Sequence, residues 1–261
     1  MDDQQSSRYF LELAYRGTPF KGWQRQPDTV TVQGTIEQAF HTYFREHIDI
    51  VGCGRTDTGV HASQYYAHFD ATQKIDNKTL YGLNALTGHD IVLKSCQRVD
   101  NQDHARFSAT QRTYHYYLRL KKSPFYRDTQ SYIPRLEIRD LSILNNIANI
   151  YSSYNAFAPF CKTGSDQEHY NCDITSCYWE WHNHEVLKFT VSANRFLRGM
   201  IRLMVGASIK VLQKHITIED IRHALDTQSQ IPGAYSAPPE GLFLAEITYP
   251  KALNDRLHRR V

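Results

Sequence analysis

Arg8-Tyr9-Phe10-Leu11-Glu12-Leu13-Ala14-Tyr15 and Arg112-Thr113-Tyr114-His115-Tyr116-Tyr117-Leu118-Arg119-Leu120 decide how the rest of this chain is read. In the first, Tyr9, Leu11, Leu13 and Tyr15 alternate with Phe10, Glu12 and Ala14. In the second, Tyr114, Tyr116, Leu118 and Leu120 share one face. A period of two is that of a β-strand with one side buried. The same succession of elements is predicted after each strand. Beyond Tyr15, a polar loop with glycine and proline leads to Val32, Ile36, Phe40 and Phe44, a helical spacing over Thr31 to His47. Ile48 to Cys53 reads as a strand, and a glycine-punctuated segment follows. Gln64 to Asp70 places Tyr65, Ala67 and Phe69 on one face of a further strand. Lys78 to Leu86 is a short helix, and Ile91 to Val99 a fourth strand.

Beyond Leu120, the residues Leu141, Leu144, Ile147 and Tyr151 mark a helix with Asp140 as its N-cap. Ile174 to Trp181 and Glu185 to Ala193 make a hairpin across His182-Asn183-His184. A long helix is expected from Leu197 to about Lys214, with Ile201, Val205, Ile209 and Leu212 in line. Thr217 and Asp220 have capping-box spacing, with Asp where Glu or Gln is usual, and start a short helix. Gly241 to Tyr249 closes as a strand. Each half therefore reads β-α-β-β-α-β, the split βαβ, ferredoxin-like order, which yields an antiparallel sheet with helices on one face. The expected fold class is α+β: two ferredoxin-like halves, residues 1–107 and 108–261, with sheets side by side and a central active-site cleft. Two unrelated α+β units are the alternative. The junction is expected near residues 104–111, and the irregular stretch from Phe157 to Asp173 is expected to be mobile or to face a substrate.

The chain has 261 residues, close to the ~250–300 at which a single core stops growing, so one large domain or two fused halves both fit. Hydrophobic residues at 41% and charged residues at 22% exclude a disordered or low-complexity protein. No apolar run approaches the ~18–20 residues of a membrane span, and the opening MDDQQSSRYF is polar and acidic, unlike a signal peptide. A cytoplasmic location with no membrane partner is expected. Lys and Arg number 30 against 27 Asp and Glu, a net charge of +3, so local clustering must carry any case for a nucleic-acid partner. Five cysteines without CxxC spacing read as reduced thiols. His169, Cys172 and Cys177 lie close in sequence, but their spacing matches no common zinc site, and no metal is expected. With neither a Walker loop nor a dinucleotide fingerprint, no cofactor is expected.

The segment with the densest chemistry is Gly52-Cys53-Gly54-Arg55-Thr56-Asp57-Thr58-Gly59-Val60-His61-Ala62. Its glycines allow tight turns and close backbone approach. Its one carboxylate, Asp57, is flanked by Arg55 and His61. Taken alone it reads as a loop whose Asp makes an Asx-turn. The next acid in the chain is Asp70, so the local sequence holds no glycosidase-type carboxylate pair.

GRTDTGVHA resembles the G-R-T-D-x-G-V-H-x signature of the tRNA pseudouridine synthase A family. Gly22-Trp23-Gln24-Arg25-Gln26 followed by Val32-Gln33 resembles the family's G-W-Q-x-Q…V-Q opening. Leu83-Asn84-Ala85-Leu86 before Asp90-Ile91 resembles its L-N-x-L-P-x-D-I. His104-Ala105-Arg106-Phe107 and Arg112-Thr113-Tyr114-His115-Tyr116 resemble its H-A-R…R-x-Y-x-Y. Met200-Ile201-Arg202 through Val205-Gly206, and Gly241-Leu242-Phe243-Leu244, resemble its M-V-R-x-x-V-G and G-L-x-L. The motifs are collinear from about Tyr9 to Tyr249. Arg16 departs from the pattern where Y-D-G is common, Thr87 where Pro is usual, and Asp103 where Phe precedes H-A-R.

The resemblance implies an isomerase acting on uridine in the anticodon stem-loop of tRNA, a homodimer, with no cofactor. Uracil would leave the ribose through N1 and return through C5. Asp57 is implied as the nucleophile. Arg202 is implied as its partner, a cation that would hold the carboxylate anionic. Tyr114 is implied as the ring that stacks on the flipped-out base, and Leu244 as an apolar wall of the uracil pocket. Arg55 is implied to help displace the target nucleotide. Arg25 and Arg106 join Lys21, Arg112, Lys162, Arg195 and Arg198 as a basic set suited to a phosphate backbone, with Arg256, Arg259 and Arg260 as a basic tail. The residues alone support plainer readings. Tyr114, Tyr116 and Leu244 fit core packing, Arg202 an exposed helix charge, Arg55 a tie within its loop, His61 a structural histidine, and Trp23 a packed ring.

Overall fold

The computed structural model describes residues 6–134, 141–162, 164, 168–233 and 235–258. In chain order the elements are β1 (Ser7–Tyr15), α1 (Val32–Phe44), β2 (Val51–Gly52), β3 (His61–Ala71), α2 (Asn77–Thr87), β4 (Ile91–Arg98), β5 (Gln111–Arg119), β6 (Ser131–Tyr132), α3 (Ser142–Ser152), β7 (Ile174–Asn183), β8 (Val186–Ala193), α4 (Met200–Leu212), α5 (Ile218–Thr227), β9 (Leu242–Thr248) and α6 (Lys251–Leu257). The fold is mixed, helices with antiparallel strands except for the short β6, which runs parallel to β5. Contacts divide it into two units. The first runs to Gln111 and resumes at Leu244; the second is Arg112–Phe243.

In the first unit β1 lies between β3 and β4, antiparallel to both, with Leu11 opposite Ala67 and Cys96. Beyond β3 lie the short β2, on which Gly52 faces Ala67, and β9. Thr31 caps α1, its hydroxyl accepting from Gly34 N–H, and Asp76 caps α2 through Thr79 N–H. Phe40 of α1 packs edge-on against Phe69 of β3, ring centroids 4.9 Å apart. Asn84 ties α2 to β4 by exchanging both amide bonds with Leu93.

The opposite face of this sheet is also covered, contrary to the one-sided alternation expected of β1. Phe10 is 1% exposed. It meets Tyr249 edge-on at 5.5 Å, Tyr66 does the same at 5.4 Å, and the Tyr249 hydroxyl donates to Ala105 O. A second difference is β2. Its expected span, Ile48 to Cys53, shrinks to two residues because α1 side chains take the Ile50 backbone: Gln33 Nε2 donates to its carbonyl and Glu37 Oε1 accepts from its N–H. Helix α1 ends at Phe44 rather than near His47 because Arg45 turns left-handed, φ 62°, and its N–H closes on His41 O.

In the second unit β8 is central, with Phe189 opposite Tyr116 of β5 and Val191 opposite Cys177 of β7. Asn145 of α3 grips the Trp179 backbone at both N–H and C=O, and the Tyr151 hydroxyl donates to Met204 O, joining α3 to α4. Thr217 and Asp220 form the expected reciprocal capping box at the start of α5. The N-cap expected at Asp140 lies outside the described residues; α3 is preceded by Leu141, which makes no side-chain cap. The long helix starts at Met200, after the left-handed Gly199, φ 72°, rather than at Leu197.

The closing strand corrects the expected halves. β9 begins at Leu242, but from Leu244 onward the chain belongs to the first unit, so residues 108–261 do not form one body. Alternation along β9 marks a strand equally well in either unit, which is why the pattern could not show its membership. Among the described residues no helix is long and apolar enough to cross a membrane.

Candidate active site

The Asp57 segment is built by its neighbours. Asp57 C=O accepts from Val60 N–H at 3.1 Å, with Gly59 at φ 78° in the third turn position, a geometry that favours glycine. Thr56 is pinned on both sides: its hydroxyl bonds Tyr15 Oη at 2.8 Å, and its carbonyl accepts from Trp23 N–H. Tyr65 Oη donates to Gly54 O. Trp23 and Tyr65 stack with centroids 4.0 Å apart, and Tyr15 leans on both. Trp23 is thus a packed ring, 3% exposed, as its plainer reading had it. His61 is buried, and its Nδ1 accepts from Gly17 N–H at 3.0 Å, a bond that braces the loop against the 15–23 segment. Between these anchors Asp57 is half-buried and Arg55 exposed.

Glycines let the two segments touch. A Cβ on Gly17 would sit 1.9 Å from Val60 O, and one on Gly22, itself at φ 90°, 2.6 Å from Thr56 O. Backbone cannot yield there as a flexible side chain would. Gly17→Ala is therefore expected to destabilise the protein by about 3 kcal/mol or more, measured by urea unfolding. A midpoint unchanged from wild type would show that the loop yields.

The remaining first-unit candidates have mixed fates. Arg25 is 61% exposed at its side chain, yet its Nη1 is 2.9 Å from Glu37 and 3.7 Å from Asp49. Those carboxylates neutralise part of the charge it would offer a phosphate. Arg106 is exposed, its guanidinium 5.5 Å from the ring centre of Phe107. Leu244 is 1% exposed on β9. Arg256 pairs with Asp100 and Asp103 rather than forming a basic tail, while Arg259 and Arg260 lie outside the described residues. The three departures from the family pattern all have local partners. Arg16 pairs with Asp90 at 2.7 Å, the Thr87 hydroxyl donates to Asn84 O and Ile91 O, and Asp103 receives Arg256 and the Asp100 N–H.

In the second unit Tyr114 is half-buried, meeting Phe196 edge-on at 5.2 Å, whereas Tyr116 is wholly buried. Arg202 stands in the first turn of α4, half-buried. Its Nε donates to Ala237 O at 2.6 Å, and its own carbonyl accepts from Ala237 N–H at 2.9 Å. An exposed helix charge would have no such fixed partner. Arg112 Nη1 donates to Asn194 O. Arg195 Nη1 lies 3.0 and 3.3 Å from the two ring nitrogens of His169. Burial pushes the Cys172 thiol up to about 11. The residues around Ala237 carried no sequence signal, since Tyr235-Ser236-Ala237-Pro238 has neither periodicity nor charge.

A family model described as tRNA pseudouridine synthase matches residues 148–250. The chain is 38% identical over 249 residues to the tRNA pseudouridine synthase A of Parabacteroides distasonis, covering 94% of this chain and 97% of the relative. It is 36% identical to that of Bacteroides fragilis, over 94% and 98% of the two chains, and 35% identical to that of Dictyoglomus thermophilum, over 92% and 98%. The chain belongs to the tRNA pseudouridine synthase A family.

Proposed function

We propose that this chain isomerises uridine to pseudouridine in the anticodon stem-loop of tRNA, with Asp57 as nucleophile, Arg202 as its cationic partner and Tyr114 as the ring that stacks on the target base. The observation that carries the reading is the Asp57 loop. The loop is held by Trp23 N–H and Tyr65 Oη at its Thr56 and Gly54 carbonyls, by Tyr15 at the Thr56 hydroxyl and by its own His61 at Gly17 N–H, while Asp57 is only half-buried. A carboxylate serving only to shape its loop would not need so braced a frame. Family membership supports the substrate and the reaction. In that reaction the N1–C1′ bond breaks and a C5–C1′ bond forms. The C5 hydrogen leaves to solvent and N1 gains a proton, so no electrons are exchanged with a cofactor.

The first unit is read as a ferredoxin-like half. It supports this with the element order β-α-β-β-α-β and the strand order β4-β1-β3-β2. Leu244 serves as a uracil-pocket wall, Arg55 displaces the nucleotide, and Arg25 and Arg106 meet phosphates. The working form is a cytoplasmic homodimer, in which two chains of net charge +3 pool their basic surface against a polyanion. The test is release of label from unmodified tRNA tritiated at uridine C5, with the modified site mapped afterwards. Stoichiometric release from the anticodon stem-loop is expected. Tight tRNA binding without release would favour a non-catalytic RNA-binding module, and release from another region would name a different substrate.

A further inference from the structure

The segment Tyr235–Pro238 leads into a 3-10 turn, Pro239–Gly241, and is clamped to its own unit at several points. Gly206 of α4 has no side chain where the Tyr235 carbonyl passes; a Cβ there would lie 1.7 Å from that oxygen. Arg202 and Ala237 exchange two hydrogen bonds, one from the guanidinium Nε. The adjoining carbonyl, Pro238 O, accepts from the Tyr116 hydroxyl at 2.9 Å. The Tyr116 ring fits there because Gly241 is bare: a Cβ on Gly241 would meet Tyr116 Cζ at 2.8 Å. Burial pushes the Tyr116 phenol far above its ordinary range, so it remains a donor at any working pH.

These contacts form one chain of rigid links. Tyr116 fixes the Pro238 carbonyl, the peptide before it carries the Ala237 carbonyl, and that carbonyl orients the guanidinium of Arg202 through Nε. We infer that Tyr116 is a positioning residue for Arg202, acting through the Ala237-Pro238 peptide. The inference rests on the role proposed above for Arg202 and adds what holds that cation in place. Tyr116 itself, fully buried with its hydroxyl spent on Pro238, touches no substrate.

Tyr116→Phe removes the hydroxyl, with its bond to Pro238 O and its interaction with Ser131, and keeps the ring. In single-turnover assays on C5-tritiated tRNA it is expected to lower the rate about tenfold with tRNA affinity within about twofold, the scale of one lost buried hydrogen bond. The decisive comparison is the same change in an Arg202→Lys background, where no Nε exists to be oriented. There Tyr116→Phe is expected to change the rate by no more than about twofold, the non-additivity of residues acting through one another. Equal losses in both backgrounds would assign Tyr116 to general stability and overturn the inference, as would a wild-type rate for Tyr116→Phe alone. A wild-type rate for Arg202→Lys would remove Arg202's guanidinium geometry from the mechanism. That outcome defeats the parent reading first, and is distinguishable because it appears before Tyr116 is changed.

Discussion

Asp57→Asn is expected to bind unmodified tRNA as the parent protein does and to lose C5 label release by more than ~10³-fold, the scale seen when a nucleophile is removed. The substitution is nearly isosteric. The bonds that shape the loop run through Thr56, Gly54, His61 and the Asp57 backbone rather than through its carboxylate alone. Filter binding and single-turnover release on the same preparation separate the two quantities. Equal release by both proteins would take Asp57 out of the mechanism. A parallel loss of binding and release would mean that the carboxylate shapes the loop and does no chemistry.

Arg202→Ala carries the second large effect. The rate is expected to fall by about 10²–10³-fold, as for loss of a preorganised charged donor, while tRNA affinity changes by less than about threefold. A basic residue serving only the phosphate backbone would show the reverse: weaker binding, a shallower salt dependence and ordinary turnover. The substitution also strips Ala237 O of its Nε donor, at about 1–2 kcal/mol of stability. Thermal unfolding must accompany the kinetics, because a collapse of the fold would lower affinity and rate together.

The elements were readable where one face of a segment is apolar and its ends carry caps. The spacing of Val32, Ile36 and Phe40 marks α1, and Thr217 with Asp220 marks the start of α5 to the residue. Reading failed where side chains from elsewhere take over the backbone. Ile50 looked like strand, but its hydrogen bonds go to Gln33 and Glu37. Phe10 and Glu12 looked like a solvent-facing row until Tyr249 proved to cover Phe10. No local pattern announces a partner that distant.

The candidate site divides in the same way. Asp57 stands out as one acid among three glycines, Arg55 and His61, but taken alone that loop fits a plain Asx-turn, and only the resemblance implies a nucleophile there. Trp23, Tyr116 and His61 were rightly read as packing residues from their apolar or looped settings. Arg25 belongs to the basic set suited to a phosphate backbone, and its pairing with Glu37 and Asp49 is hidden, since sequence distance conceals which acid lies across a helix from which base. The clamp on Arg202 was the least visible part, because Ala237 contributes only backbone atoms and backbone carries no residue signature.

The return of the chain to its first unit at Leu244 constrains biosynthesis. A ribosome that has made residues up to Gln111 has made β1 to β4, yet Phe10 and Tyr66 still lack Tyr249, and Asp100 and Asp103 still lack Arg256. The portion translated earliest is therefore completed last. A nascent chain stalled before Tyr249 would display an aromatic face open to chaperones and to self-association.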